Sequence, residues 1–148
     1  NYYKSLKIYV GDKMALVFHH IGIPVKKSKL SKNARYSPLF KMYSEEAKNN
    51  LNIHIEYHAF DPGSSLDKRL QTLPHIAFKT NTIEKDLLDK EIIMPLYEPF
   101  KGYRCAAIQI NDVIVELIET SLPEDKIWND SDTINNGILY SNGITTEI

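Results

Sequence analysis

The fold prediction rests on a short sequence motif that occurs twice, as the phrase His20-Ile21-Gly22-Ile23 near the start of the chain and as the phrase His75-Ile76-Ala77-Phe78 in its middle. Each phrase opens a segment that closes on a glutamate in an apolar stretch, Ile55-Glu56-Tyr57 for the first and Val115-Glu116-Leu117 for the second. The histidines are 55 residues apart and the glutamates 60. A repeat with one imidazole and one carboxylate per copy predicts four ligand-type groups around a pseudo-symmetry axis.

These four groups are the candidate metal ligands: His20, Glu56, His75 and Glu116. A carboxylate buried without a partner in so apolar a strand costs several kcal/mol, so each glutamate needs a cation or hydrogen-bond donors. Two imidazoles and two carboxylates suit one divalent ion, namely Ni, Zn, Co, Mn or Fe, and leave positions open for water or substrate. The sequence therefore predicts a metal site.

Three further histidines lie close to these residues. His19 is an alternative to His20, but strand alternation puts it on the opposite face, and the repeat favours His20. His54 and His58 share the face of Glu56 in the alternating segment 53–60 and are candidates for proton transfer or substrate contact. An exposed polar face of an edge strand is the other interpretation of this pair.

Hydrophobic patterning predicts strands in both copies of the repeat. In the first copy we expect strands at 15–25, 39–43 and 53–60, a loop or brief helix over 26–38, and a polar connection over 44–50. In the second we expect a strand at 75–80, a helix from Thr82 to Asp89, an edge strand at 92–96 that contains Pro95, and a hairpin of 103–110 with 113–119 around Asn111-Asp112. On the last strand, Glu116 should share a face with Ile114 and Ile118.

The phrases His-His-Ile-Gly-Ile-Pro-Val (19–25), Pro-His-Ile-Ala-Phe-Lys (74–79) and Val-Ile-Val-Glu-Leu-Ile-Glu (113–119) resemble the glyoxalase / bleomycin-resistance / extradiol-dioxygenase superfamily, also called vicinal oxygen chelate. The resemblance spans about residues 15–119. It implies an α+β fold of two βαβββ modules that form an incomplete barrel around a central metal. The first pair of ligands is 36 residues apart against 41 for the second, so the first module is expected to be shortened.

Carried over position by position, the resemblance implies His20, Glu56, His75 and Glu116 as metal ligands, with Glu56 or Glu116 as the catalytic general base and acid. The implied activity is a metal-dependent lyase or isomerase that moves a proton on a small α-oxygenated carbonyl or thioester substrate. A non-catalytic binding or resistance protein is the alternative. An Fe(II) dioxygenase with a His20, His75 and Glu116 triad is a third reading, weakened by the extra carboxylate of Glu56.

The domain boundaries follow from the same patterns. Residues 1–14 form a polar extension and 15–119 the glyoxalase-like domain, with module one at about 15–60, a linker at 61–73 that begins Asp-Pro-Gly-Ser-Ser, and module two at about 74–119. Residues 120–148 form a polar tail that is expected to wrap or fray. The first residue is asparagine rather than methionine, as expected of a trimmed chain or a piece of a longer one, and a homodimer could complete paired modules.

Charge and composition narrow the partners. The net charge is −1, but residues 1–48 carry +7 and residues 49–148 carry −8. Five basic residues could border a site for an anionic substrate: Lys26, Lys27, Lys29, Lys32 and Arg35. The pI of about 6.6 argues against nucleic acid, and no apolar run is long enough for a membrane helix. The single cysteine, Cys105, is expected to be a buried, inert thiol, and a cytoplasmic location is expected.

Overall fold

The computed structural model describes residues 15–128 and 130–140. Eight strands occur in these residues: β1 (Val17–Pro24), β2 (Arg35–Ser37), β3 (Met42–Ala47), β4 (His54–Phe60), β5 (His75–Lys79), β6 (Glu91–Phe100), β7 (Tyr103–Ile110) and β8 (Val113–Thr120). Four short α-helices accompany them: α1 (Lys68–Thr72), α2 (Ile83–Asp86), α3 (Glu124–Trp128) and α4 (Ser131–Ile134). A 3₁₀-helix covers Lys27–Lys29. No helix within the described ranges has both the length and the apolar character needed to cross a membrane.

All eight strands belong to one curled, half-barrel sheet with the order β2-β3-β4-β1-β5-β8-β7-β6. From either edge to the centre, each half has the same order: its second, third, fourth and first strand. In each half the first strand pairs in parallel with the last, β1 with β4 and β5 with β8, and the remaining strands follow antiparallel. The halves meet where β1 and β5 pair antiparallel at the centre. This mostly β, half-barrel sheet is compatible with the expected α+β incomplete barrel.

Alternation along β8 separates the two faces of the sheet as the sequence predicts. Ile114 and Ile118 join a core cluster on the concave side, whereas Val115 and Leu117 pack with Ile83 of α2 on the convex side. Glu116 therefore projects into the concave side, because side chains two residues apart on a strand share a face. Cys105 is 2% exposed in the concave cluster, and burial raises the pKa of its thiol.

The tail closes part of the concave side. Ile127 of α3 packs into the cluster that contains Ile114 and Ile118. Further along, Ile134, Leu139 and Tyr140 form a second cluster with Met42 of β3. Of the two outcomes expected for the tail, wrapping or fraying, residues 121–128 and 130–140 wrap. The rest of the tail and the extension 1–14 lie outside the described residues.

Three predictions of secondary structure have the wrong bounds: a strand and a connection in the first half, and the helix α2. The strand expected at 39–43 is β3 at Met42–Ala47, so the polar stretch 44–50 is largely strand. The strand lacks the usual apolar alternation because one of its inward-facing residues is Ser44, a hydrogen-bond partner of His58. The helix expected from Thr82 to Asp89 ends at Asp86, and Thr82 makes no capping bond to the backbone. Its hydroxyl instead donates to the Asp86 carboxylate over 3.1 Å.

The edge strand is longer than expected. Residues 92–96 were expected to form it, but β6 runs through Pro95 to Phe100, with register shifts along its pairing with β7. Proline is tolerated because β6 is the last strand of the sheet, and among the described residues its outer side is bridged only near its end, at Phe100 to Gly137. The hairpin of β7 and β8 is confirmed, and Asn111 has a φ of +53°, as its turn requires.

Candidate metal centre

The repeated phrases pair with each other across the centre of the sheet. His20 lies opposite Ala77, and Gly22 lies opposite His75. Each histidine therefore faces the small residue that stands two positions after the other histidine. Glycine is needed at position 22 because the imidazole of His75 lies against its Cα. A Cβ on Gly22 would come within 2.1 Å of Cε1 of His75.

The two glutamates occupy equivalent positions in the sheet. Gly22 pairs with Glu56 on β4, and Ala77 pairs with Glu116 on β8. Each glutamate thus lies beside the small residue of its own phrase. Together with the two histidines, these groups occupy four consecutive strands at the middle of the sheet.

Three of the four side chains converge. Nε2 of His20 is 3.2 Å from Oε1 of Glu116, and Nε2 of His75 is 3.6 Å from the same oxygen. One ligand atom from each residue lies within 4.8 Å of the others. Four ligands at metal–ligand distances of about 2.0–2.2 Å in tetrahedral geometry are roughly 3.3–3.6 Å apart. The group of His20, His75 and Glu116 could hold a metal ion.

The electrostatics of this group also fit a cation. Burial opposes ionisation of Glu116, but hydrogen bonds and the charges of His20 and His75 outweigh it and hold its pKa well below the usual range. Burial likewise opposes protonation of His20, yet Glu116 outweighs burial and raises the pKa of His20. Nδ1 of His75 is buried with no hydrogen-bond partner among the described residues. An imidazole nitrogen left in that state costs about 1–3 kcal/mol.

Glu56, expected as the fourth ligand, lies outside this group. Its Oε1 is 3.2 Å from Nε2 of His58, and Nδ1 of His58 is 2.9 Å from the hydroxyl of Ser44. Burial disfavours the charged form of Glu56, but the attraction of His58 and His20 outweighs it and lowers its pKa. The arrangement is an ionised carboxylate held beside the three-residue group by a histidine and a serine.

His19 does not point to the opposite face, so that expectation is wrong. The pairing of β1 with β5 shifts register between Phe18 and His20, so that His19 is the additional residue of a β-bulge. The bulge turns its side chain inward, and its Nδ1 lies 2.8 Å from Nδ1 of His20. Its Nε2 is 3.0 Å from both carboxylate oxygens of Glu124 on α3.

His54, the other extra candidate, lies at the rim. Its Nδ1 pairs with the carboxylate of Glu46, and its ring stacks on Trp128 with centroids 4.3 Å apart. The ring of Trp128 also stacks on His19 at 5.6 Å. The sole tryptophan of the chain therefore joins the rim to the bulge that carries His19.

The concave side encloses a cavity of about 630 Å³ that contains the three-residue group and Glu56. Its walls are largely apolar, with contributions from Met42, Met94 and Phe100. Of the five basic residues of the segment 26–35, Arg35 is the one among the cavity-lining residues. Lys27 instead lies 3.6 Å from Asp61. The volume suits a ligand of drug-like size.

Sequence reasoning missed the roles of Gly22, His19 and Glu124. A signal for Gly22 exists, because both phrases have a small residue two positions after the histidine. No local signal marks Glu124, which is 105 residues from its partner. No protein-family model matches this chain, and a search of the curated proteins finds no match.

Proposed function

We propose that this chain is a metal-dependent lyase or isomerase of the glyoxalase-like type, which moves a proton on an α-oxygenated carbonyl or thioester substrate. The observation that carries the proposal is the convergence of His20, His75 and Glu116 in the concave cavity, with the carboxylate of Glu56 among its lining residues. A ligand set next to an ionised carboxylate that can accept a proton is what proton transfer at an acidified C–H bond requires.

The symmetric strand order supports the assignment of two βαβββ modules. Both halves place the histidine, the small residue and the glutamate at matching registers. The first module has the 3₁₀-helix Lys27–Lys29 at the position that α2 takes in the second, in keeping with the shortened first module.

Glu56 and Glu116 have different roles in this proposal. Glu116 is a ligand with His20 and His75, and Glu56 is the base. A divalent ion held there supplies Lewis acidity to the substrate oxygens. Glu56 takes the proton from the carbon and returns it to the neighbouring one. His58 hydrogen-bonds the Glu56 carboxylate and orients it.

Arg35 selects an anionic substrate. No carboxylate pairs with its guanidinium among the described residues; its contacts are to Asn135 Oδ1 at 3.5 Å and Ser131 Oγ at 3.4 Å. Arg35 lines the cavity that contains the ligand group, where its guanidinium offers a cation to a carboxylate or phosphate of the substrate.

One observation favours a second candidate, an Fe(II) dioxygenase. Glu56 is turned toward His58 rather than toward the ligand group, so His20, His75 and Glu116 form a two-histidine, one-carboxylate triad that leaves positions open for oxygen and substrate. Dioxygen consumption by Fe(II)-loaded protein in the presence of catechols would favour this candidate over proton transfer.

The test of the proposal is exchange of carbon-bound hydrogen in D₂O, followed by proton NMR. Protein loaded separately with Ni²⁺, Zn²⁺ or Mn²⁺ is incubated with glyceraldehyde 3-phosphate, 3-hydroxypyruvate and lactoyl thioesters as probes. We expect metal-dependent loss of the α-proton signal from an anionic probe. In Glu56→Gln, exchange should fall by at least about 100-fold while the metal stays bound, since a general base contributes about 10²–10⁴ in rate.

Matched variants separate the roles. Glu91→Gln removes an exposed carboxylate of the edge strand, 61% exposed in its side chain, and should leave exchange unchanged. Arg35→Met should weaken binding of anionic probes, whereas Lys27→Met should not. Undiminished exchange in Glu56→Gln would refute the base assignment. A chain that binds the probes without metal and exchanges none of them would be a binding protein instead.

A further inference from the structure

We propose that His19 and Glu124 are positioning residues of the metal centre, which hold the imidazole of His20 in the tautomer that presents Nε2 to a metal. The inference rests on the metal-binding part of the proposed function, but not on the reaction. It assigns a role at the metal centre to α3, the helix that follows the repeat and carries Glu124.

The contacts form a continuous line from the surface to the ligand group. The carboxylate of Glu124, half exposed, accepts from Nε2 of His19 at 3.0 Å. Nδ1 of His19 faces Nδ1 of His20 at 2.8 Å, and Nε2 of His20 faces Glu116 at 3.2 Å. The side chains of His19 and His20 are 3% and 4% exposed, so water does not compete for these contacts.

Proton positions along this line follow from what each group can donate. An ionised carboxylate accepts only, so Nε2 of His19 carries a proton toward Glu124. In a neutral His19 ring that donates from Nε2, the other nitrogen, Nδ1, is an acceptor. Nδ1 of His20 must then donate, because two facing acceptors would repel. Nε2 of His20 donates to the ionised Glu116 in the metal-free chain, so the ring carries both protons there. A metal would displace the Nε2 proton and leave the Nδ1 proton in place, with the Nε2 lone pair directed at the ligand group.

The β-bulge at His19 makes the line possible. Without it, His19 would point to the convex side and could not reach Nδ1 of its neighbour. Trp128 keeps the line in place from α3: its Nε1 donates to Glu124 over 3.0 Å, and its ring stacks on His19. The carboxylate, the tryptophan and the bulge together fix one orientation of the His19 ring.

Partners of this kind tune metal sites, because a hydrogen bond to the far nitrogen of a ligating histidine fixes its tautomer and raises its basicity. Loss of such a partner typically costs 10–100-fold in metal affinity. Glu124 is half exposed, so its own loss is expected to cost less than the loss of His19.

The test measures Zn²⁺ affinity of the full chain by competition with a chromophoric chelator. His19→Leu should bind Zn²⁺ about 10–100-fold more weakly than the parent. His19→Asn places an amide oxygen near the position of Nδ1, so it can still accept from His20 and should recover most of that loss. Glu124→Ala should weaken binding by a smaller factor, about 3–10-fold, judged from its exposure. Asp125→Ala, an exposed neighbour in the same helix, is the matched control and should match the parent.

A second readout does not depend on metal. Long-range ¹H–¹⁵N NMR of the histidine rings should show a hydrogen-bonded proton on Nδ1 of His20 in the parent and in His19→Asn. In His19→Leu that proton should exchange rapidly with solvent. Equal losses in the asparagine and leucine variants, or no loss in either, would overturn the inference. A parent that binds no Zn²⁺ would refute the metal centre itself, while the NMR result would still decide the tautomer.

Discussion

Gly22 is the position at which one methyl group should do most damage to the site. A Cβ there would lie 2.1 Å from Cε1, 2.3 Å from Nε2 and 2.8 Å from Nδ1 of His75. Gly22 is not among the residues with positive φ, so alanine suits its backbone. The cost of Gly22→Ala therefore arises from the collision with the imidazole alone.

The magnitude follows from that overlap. Ordinary contact of a Cβ begins near 3.4 Å, so the ring of His75 must move by more than 1 Å. Overpacking of this kind costs about 1–3 kcal/mol in free energy of unfolding. The displaced ring no longer places its Nε2 near Oε1 of Glu116. Zn²⁺ affinity should therefore fall by at least about 100-fold, more than the loss of a hydrogen-bond partner of a ligand causes.

A double-mutant cycle in urea isolates the collision. Without metal, Gly22→Ala should lower the free energy of unfolding by about 1–3 kcal/mol in the parent. In a His75→Ala background it should have no cost, or a gain of about 0.4–1 kcal/mol from the stiffer unfolded chain. Ile21→Val, on the same strand but facing away, is the control for Zn²⁺ binding. Equal costs in both backgrounds, or parental Zn²⁺ affinity in Gly22→Ala, would refute the reasoning.

Two further predictions concern pH and packing. The raised pKa of His20 means that its pairing with Glu116 stabilises the metal-free fold fully below the unfolded value of 6.5 and is lost as pH rises through the folded pKa; the free energy of unfolding in urea should fall over that range. Zn²⁺ must displace the Nε2 proton of His20, so the affinity for Zn²⁺ should instead increase as pH rises, by up to about tenfold per pH unit. An affinity that does not change between pH 6 and 8 would contradict this. Leu117→Ala, at 0% exposure on the convex side, should cost about 2–5 kcal/mol and leave Zn²⁺ stoichiometry at the parental value; loss of Zn²⁺ from a folded variant would show that the two faces are not independent.

The inward–outward alternation of side chains in the second half of the sheet could be predicted from the sequence, because each strand there has one apolar face that packs under α2. On β8 the period of two places Glu116 on the concave side without any knowledge of the partner strands. The turn at Asn111 is equally local, since its positive φ suits asparagine. Features decided within one strand or one turn were therefore predictable.

Features decided between strands were not. The inward turn of His19 depends on a register shift against β5, which strand periodicity cannot show. The polar strand β3 was read as a connection because Ser44 faces His58 rather than an apolar core. Glu124 reaches His19 from 105 residues away through the docking of α3. Each of these contacts needs the tertiary arrangement of two elements.

Glu56 shows the same limit in a functional residue. The repeat predicts it as a ligand because its register matches that of Glu116. Its side chain instead pairs with His58, two positions along the same strand, and no histidine stands at the equivalent place in the second half, where Ile118 lies. The two halves share a backbone frame, but the side chains around it differ, and that difference is the basis for separate roles of the two glutamates.

The central claim is a metal centre built from His20, His75 and Glu116. The measurement that tests it most directly is the Zn²⁺ stoichiometry of reconstituted, untagged protein by native mass spectrometry, with single alanine variants of these residues and of Glu56. We expect one equivalent in the parent and in Glu56→Ala, and loss of the ion in the other three folded variants. No bound ion in the parent, or full retention in Glu116→Ala, would contradict it.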